Sequence, residues 1–587
     1  MKFPLLGLLM GLAVVLSSCG GDSVDHRRYK GKADAGNCNQ ALGAYQKLLK
    51  PIIEQRCVAC HSAGRSGALS GQFAMNQDEA NVMALSRMLG GDAKAIYQKA
   101  SDPLKHAGGK QWEVSDEPKL VEFFAALQAC RSNANQQINR TAKLCNAEPL
   151  PRRVNLLTER EYHNTVLDLT GVDIQVSIPA PRTILDANGN PRLAFANDQK
   201  SRTIDSNLAF SLQKASETVV SKISPEKRAA YGCAADALTD ECIQRFGAKA
   251  FRRPLSNDEL SAFRLLGSFP ALLRFVLQAP DFLYISQLGD AASGANMSAY
   301  EIAATMAYAL TSFPPDAELT TLAQQGKLFD SKVRAQQARR LLAAATEIDQ
   351  PMVQFFADWL ELAPSETASK TGSYDGKAVY RESLSFIQNQ LRKGGSLSSL
   401  FTTENQGRKG ILEQRAFIAS HASDKSTSPV KVGKTIARNL LCLSLPPPPP
   451  GISTNLPEAG AVTTRAKLEA HTKNAACASC HSRIDPFGFA FEGFDPLGQR
   501  RSIDNGVAVD TKASVKLGLS FDRDYAGSKE LITSMAESAE LAACFDSFFQ
   551  QKIYGAQTCE AQEVQASESI TDYVARLLSS ERFIKRK

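Results

Sequence analysis

Cysteine, two further residues, cysteine and histidine occur in that order as Cys57-Val58-Ala59-Cys60-His61. The same pattern returns as Cys477-Ala478-Ser479-Cys480-His481, near the other end of a chain of 587 residues. Two thiols three positions apart can add across the two vinyl groups of one porphyrin, and the adjacent histidine is then held under the iron as an axial ligand. The pattern predicts two covalently bound haem c groups, one on Cys57 and Cys60 with His61, the other on Cys477 and Cys480 with His481. Zinc sites also use CxxC pairs and histidines, but structural zinc motifs usually set a second pair some tens of residues away. Here each pair ends in its own histidine instead.

A chain of this length is far past the size of one hydrophobic core, and about four domains are expected. Hydrophobic residues at 43% and charged residues at 22% exclude a disordered chain and a polytopic membrane protein. The formal charge of +7 is spread over 68 basic and 61 acidic residues. No basic run exceeds Lys585-Arg586-Lys587, so nucleic acid is not an expected partner.

The opening residues, MKFPLLGLLMGLAVVLSSCGG, carry one positive charge, an apolar stretch from Phe3 to Leu16, then small residues. That is an export signal, too short to span a bilayer, and it is assigned to residues 1–18. Leu16-Ser17-Ser18-Cys19 resembles the lipobox of bacterial lipoproteins. The resemblance implies that Cys19 becomes the acylated N-terminus, palmitate included, and anchors the protein to a membrane; a plain secretory signal is the alternative. Gly20 stands where the retention aspartate of the lipoprotein sorting rule would sit, which favours the outer membrane. The expected location is the periplasm or the outer face of the cell envelope, with residues 19–37 as a polar tether.

Export places the other cysteines in an oxidising compartment, where disulfides persist. Apart from Cys19 and the four haem cysteines, eight of the 13 remain, an even number. Cys38 with Cys130, Cys233 with Cys242 and Cys544 with Cys559 are the expected bridges, and Cys145 with Cys442 follows by elimination.

Residues 38–135 read as a first, cytochrome c-like domain. Leu42, Tyr45, Leu49 and Ile52 recur at helical spacing, with Pro51 expected to force a kink or restart just before Cys57. A closing helix has Asp116 as cap, Pro118 in its first turn and Leu120, Phe123, Phe124 and Leu127 as its apolar stripe. The sixth ligand of this iron is expected to be His106, in a His-Ala-Gly-Gly loop able to approach a flat macrocycle; Met75, Met83 and Met88 are the alternatives, and an open position is a third.

The middle of the chain reads as helical domains over 150–290 and 291–365 and a helical region over 366–445. Apolar stripes there alternate with polar faces and end on glycine or proline. Phe355, Phe356, Trp359 and Leu360 are core candidates, and His163 is expected on a helix surface. A helix GKTIARNLLCL precedes Pro446–Pro450, a polyproline spacer over 446–450. Residues 451–587 form the C-terminal haem module. In it Asp485-Pro486 and Asp495-Pro496 set turns, and Phe487, Phe489, Phe491 and Phe494 offer apolar walls. His471 is either a distal ligand to this or the other haem or a capping or surface residue, the latter being favoured. The last helices, SKELITSMAES, LAACFDSFFQQKIYG and ITDYVARLLSSERF, are expected to close the module. The fold class is mainly α and multi-domain, with a haem domain at each end.

RRVNLLTEREYHNTVLDLTG, AFRRPLSNDEL, LQAPDFLY, SPVKVGKTIARNLLCLSLPPPPPG and ACASCHSRIDPFGFAFEGFDPLGQRR follow one another in this order. Together they resemble large exported multi-domain cytochromes of the planctomycete-cytochrome type, built from serial domains of unknown function. The resemblance covers roughly residues 150 to 560. It implies a mainly helical fold and supports haem attachment at Cys477 and Cys480 with His481 as ligand, and it supplies no substrate. The chain departs from the family pattern at Lys552-Ile553-Tyr554-Gly555-Ala556-Gln557, where relatives often carry an arginine.

The expected function is electron transfer by a membrane-anchored extracytoplasmic dihaem c-type cytochrome, with an extracytoplasmic redox protein as partner. The alternative is a dihaem oxidoreductase, peroxidase- or oxygenase-like, which requires an open coordination position at one iron. A polymer-binding surface protein with ancillary haems is a third reading.

Overall fold

The structure, a computed structural model, describes residues 42–57, 113–125, 150–179, 183–185, 191–195, 204–233, 238–290, 293–345, 347–348, 350–443, 445, 463–472, 475–555, 564–565 and 567–586. Cys19, Cys60, His61, His106, the three methionines proposed as alternatives to it, and Pro446–Pro450 lie outside the described residues, as do Cys38, Cys130, Cys145 and Cys559. The chain forms two compact units, Met1–Ala134 and Asn135–Lys587. It is mainly α-helical. No helix among the described residues is long and apolar enough to cross a membrane.

In the first unit, residues 42–57 run helically up to Cys57, but not as one regular α-helix. Five-residue π turns, Tyr45–Leu49 and Ile53–Cys57, flank a short α segment, Lys50–Ile52. Pro51 has no N–H to donate and its ring crowds the carbonyl four residues back, so the chain widens on both sides of it instead of breaking. Tyr45, Leu49, Ile52 and Ile53 are buried, and the Tyr45 ring meets Phe123 edge-on at 6.3 Å. The expected cap, Asp116, sits inside its turn: the 3-10 segment Val114–Asp116 starts after Glu113, whose backbone N–H donates to the Asp116 carboxylate at 3.0 Å. Asp116 also receives Arg56, at 3.0 Å, and Lys119, at 2.9 Å. Burial works to raise its pKa, but Lys119, the Glu113 N–H and Arg56 outweigh it and hold the carboxyl below its usual value.

The described residues of the second unit form two hydrophobic cores. The first is wrapped by helices Glu159–Thr170, Ser206–Lys222, Asp240–Phe251 and Phe269–Val276. An antiparallel ribbon closes it by pairing Arg153–Leu156 with Tyr284–Gln287, Arg153 opposite Gln287. The helix Glu159–Thr170 starts in a capping box made by Thr158 and Glu161 and stops at Gly171, whose φ of +72° suits glycine. Ser256 with Glu259 and Ser298 with Glu301 repeat the box.

The helix Ala299–Thr311 is apolar nearly all round because it is buried on both sides. Ala304 and Tyr308 belong to the first core, while Ile302, Met306 and Leu310 belong to the second. The Tyr308 hydroxyl meets Thr165 at 2.8 Å and Arg252 at 3.1 Å, so both cores share this wall.

The second core is centred on aromatic residues. Phe355, Phe356 and Trp359, on the helix Pro351–Trp359, are fully buried, as is Leu360. They meet Phe545 and Phe549 of the helix Ala539–Tyr554; Phe355 and Phe549 lie 5.0 Å apart and Trp359 and Phe545 5.6 Å. The C-terminal helices thus belong to the same core as the middle helices, and this accounts for the cysteines. Cys233 is bonded to Cys242, as expected, but Cys442 is bonded to Cys544, which overturns the expected pairs Cys544–Cys559 and Cys145–Cys442. Cys544 faces inward beside the carbonyl of Asn439, 3.2 Å away, and Cys442 follows the π turn Ile436–Leu440 that carries Asn439. Packing between distant helices made this pair, and proximity along the chain was no guide to it.

Candidate haem site

The C-terminal motif lies on the helix Ala475–His481. Helical spacing sets Cys477 and Cys480 about one turn apart, and His481 follows directly. Cys477 is buried and Cys480 half-buried, and neither thiol is in a disulfide. The chain then makes one turn, with the N–H of Ile484 donating to the His481 carbonyl at 3.0 Å, before the short helix Asp485–Phe489.

That turn brings Asp485 beneath the His481 ring. Nδ1 of His481 lies 2.9 Å from one carboxylate oxygen and 3.1 Å from the other. The carboxylate accepts, so Nδ1 carries the proton and the Nε2 lone pair is left for a metal. Nε2 has no protein partner among the described residues, and the thiols beside it are unpaired. These residues therefore fit a covalently held haem c with His481 as axial ligand. Among the described residues, no group of three or more His, Cys, Asp and Glu side chains is arranged to hold a metal ion by itself.

Asp485 was legible in the sequence only as the first half of an Asp-Pro turn. The missed signal is its spacing: four positions after His481, it falls on the same face of a helical turn.

Two glycines let the surrounding helices close on the motif. A side chain on Gly488 would have its Cβ 2.0 Å from the carbonyl oxygen of Pro429, and one on Gly433 would come equally close, 2.0 Å, to the carbonyl oxygen of Ile484. The helix Pro429–Thr435 therefore packs backbone to backbone on the segment just after His481. It begins at Pro429, with Ser428 as its cap, and not at Gly433 as the sequence pattern suggested; Gly433 is a contact point inside it.

His471, at the end of the helix Thr464–His471, has its ring centroid 5.2 Å from that of His481. The helix is capped by Thr463, and the N–H of Thr464 donates to Asp504 at 2.7 Å. Arg501 ties Asp504, at 2.9 Å, to Glu492, at 3.0 Å. Glu492 is 3% exposed; burial pushes its carboxyl up to about 7, against the pull of Arg501, whose charge Asp504 shares. Phe487, Phe489, Phe491 and Phe494 are all buried, and Arg465 stacks over Phe489 at 4.5 Å.

A small cavity beside Glu492 is lined by His421, Thr427, Pro429 and Phe491 among others. His421 is fully engaged: its ring nitrogens lie 2.6 Å from the Phe417 carbonyl oxygen and 2.9 Å from the Thr435 hydroxyl. His163, expected on a helix surface, is half-buried, with Nδ1 2.9 Å from the carbonyl oxygen of Ile174. Of the N-terminal motif, only Cys57 is described; it is buried at the end of its π turn.

Three family models match the chain in series. Residues 155–225 match PSD3, a protein of unknown function (DUF1587); residues 297–410 match PSD4, a protein of unknown function (DUF1592); and residues 408–504 match PSCyt3, a protein of unknown function (DUF1588). These serial domains are of the planctomycete-cytochrome type, in agreement with the resemblance drawn from the motifs. The third match contains Cys477, Cys480, His481 and Asp485, together with the helix Pro429–Thr435 that packs against them. No curated protein matches the chain, and no solved structure does.

Proposed function

We propose that this protein is a membrane-anchored, extracytoplasmic c-type cytochrome that carries two covalently bound haems and transfers electrons. The observation that carries the reading is the C-terminal site, where two unpaired thiols one helical turn apart adjoin a histidine whose Nδ1 is committed to a carboxylate. Cys477 and Cys480 would hold the porphyrin by thioether bonds and His481 the iron; Cys57, Cys60 and His61 would do the same at the N-terminal motif, with His106 as its sixth ligand. Bound haem supplies reversible one-electron redox chemistry. Around it the chain keeps the axial imidazole in one tautomer, surrounds the site with buried phenylalanines and prevents haem loss outside the cell. Cys19 would anchor the protein by its acyl chains at the cell envelope, in keeping with an outer-membrane address, and an extracytoplasmic redox protein would be its partner.

One observation favours the second reading, a dihaem oxidoreductase. A carboxylate behind the axial histidine makes the imidazole a more electron-rich ligand, which suits bond cleavage on the opposite face of an iron.

Haem-stained gels, peptide masses and reduced-minus-oxidised spectra of the purified protein, with carbon monoxide or peroxide added, test both readings. Two covalent haems that ignore both reagents support electron transfer. A haem that binds them supports the oxidoreductase, and the absence of haem on the peptide carrying Cys477 and Cys480 overturns both.

A further inference from the structure

We propose that Asp485 is a positioning residue that locks His481 in its Nδ1–H tautomer and lowers the reduction potential of the C-terminal haem. The inference rests on the haem reading above and concerns this chain's own residues behind the iron.

Asp485 is 5% exposed, and both its oxygens face Nδ1 of His481, at 2.9 and 3.1 Å. Among the described residues it has no second partner: no arginine, lysine or backbone N–H comes to it as Arg501 comes to Glu492. A buried carboxylate whose one partner is an imidazole depends on what that ring carries to balance its charge. A cation on the far side of the imidazole supplies that balance. An oxidised iron carries one more positive charge than a reduced one, so a fixed anion hydrogen-bonded to the far nitrogen of the ligand would stabilise the oxidised form more and draw the potential down.

The local fold keeps the anion in place. The turn from His481 to Ile484 sets the spacing, Pro486 stiffens the residue after Asp485, and the close approaches at Gly433 and Gly488 press the helix Pro429–Thr435 against this segment.

Redox titration of the full-length, haem-loaded protein tests this. Asp485→Asn keeps an acceptor for Nδ1–H and removes the charge; Asp485→Glu keeps the charge. The expected result is that one of the two haem transitions moves to higher potential in Asp485→Asn, the other stays, and Asp485→Glu lies nearer the wild type. Asp485→Asn with both haems attached and both transitions unmoved overturns the proposal, since a residue that only stabilises the fold would leave the potential alone. Should Asp485→Asn not accumulate, Asp485→Ala rescued with added formate gives the same reading: a transition restored to lower potential by the anion supports the proposal, and an unmoved one overturns it. Failure of the haem reading shows separately and earlier, as a wild-type peptide carrying Cys477 and Cys480 without haem mass.

Discussion

The carbonyl oxygen of Pro429 occupies the place where a side chain on Gly488 would begin, with only 2.0 Å left for a Cβ. A segment with no haem motif of its own thereby becomes part of the floor beneath the motif at Cys477–His481. Sequence alone marks SPVKVGK and IDPFGF as separate stretches; the contact between their glycines and each other's backbone makes them one site.

Gly488→Ala should therefore cost stability although alanine is the better helix former. The nearest atoms in the way are all backbone atoms of Pro429, so no side chain can swing aside, and overpacking of this kind costs about 1–3 kcal/mol. Denaturant unfolding of the variant should show a lowered midpoint, and haem attachment at Cys477 and Cys480 should fall with it. An unchanged midpoint would mean the two helices can part without loss.

Arg334 binds the other end of the second core. Its side chain is fully buried and donates to five carbonyls: Leu328, Phe329, Leu578, Ser579 and Ser580, at 2.7 to 3.2 Å. Three of these end the helix Ile570–Ser579, where unpaired carbonyls and the helix dipole favour a cation. Arg334→Ala should destabilise the second unit by at least the cost of an unsatisfied buried acceptor, about 1–3 kcal/mol, and Arg334→Lys should recover little of it because an ammonium cannot span five acceptors. Thermal melts of the three proteins side by side decide this.

The bridge between Cys442 and Cys544 closes a loop of sequence separation 102. Chain-entropy reasoning assigns a loop of that length about 4–5 kcal/mol, and removal of native bridges typically costs about 2–5 kcal/mol. Cys442→Ser with Cys544→Ser should lower the unfolding midpoint by an amount in this range. Peptide mapping without reductant should recover the two cysteines on one fragment, and a fragment joining Cys544 to Cys559 instead would contradict the structure.

What the sequence could tell follows from the range of the forces involved. The buried faces of Phe355, Phe356 and Trp359 are a local signal, set within a few residues, and they read correctly as core; the capping boxes at Thr158, Ser256 and Ser298 are equally local, Ser or Thr followed three positions on by Glu, and went unread. Cys233 and Cys242, nine positions apart, were close enough to be paired by eye. Cys442 with Cys544 depends on how two distant helices meet, and no periodicity carries that. Asp485 lay in plain view but was masked by the proline after it, because Asp-Pro ordinarily means a turn; its approach to His481 appears only once the turn is built. Pro51 misled in a milder way, since the helix around it widens into π turns where a plain kink was expected.

Two carboxyls, Glu361 half-buried and Glu492 buried, should shape the pH dependence of stability in opposite directions. At Glu361, burial acts to raise the pKa, but the His421 ring, 3.7 Å away, Arg438 at 2.6 Å and Lys434 overcome it and hold the group down at about 2. A folded pKa below the unfolded one gives stability that is present above about 4.5 and is lost as the pH falls towards 2. Glu492 is the reverse: with its carboxyl pushed up to about 7, chiefly by burial, its contribution is complete below about 4.5 and is lost as the pH rises through 7. Each shift corresponds to a few kcal/mol at most, by roughly 1.4 kcal/mol per pH unit. Glu492→Gln should flatten the decline between pH 5 and 7 and leave the acid limb untouched. Glu361→Gln should instead lower stability at neutral pH, where it strands Arg438, and soften the loss below pH 4. Denaturant midpoints measured from pH 3 to 8 for the wild type and both variants separate the two limbs; parallel curves for all three would remove both carboxyls from the account.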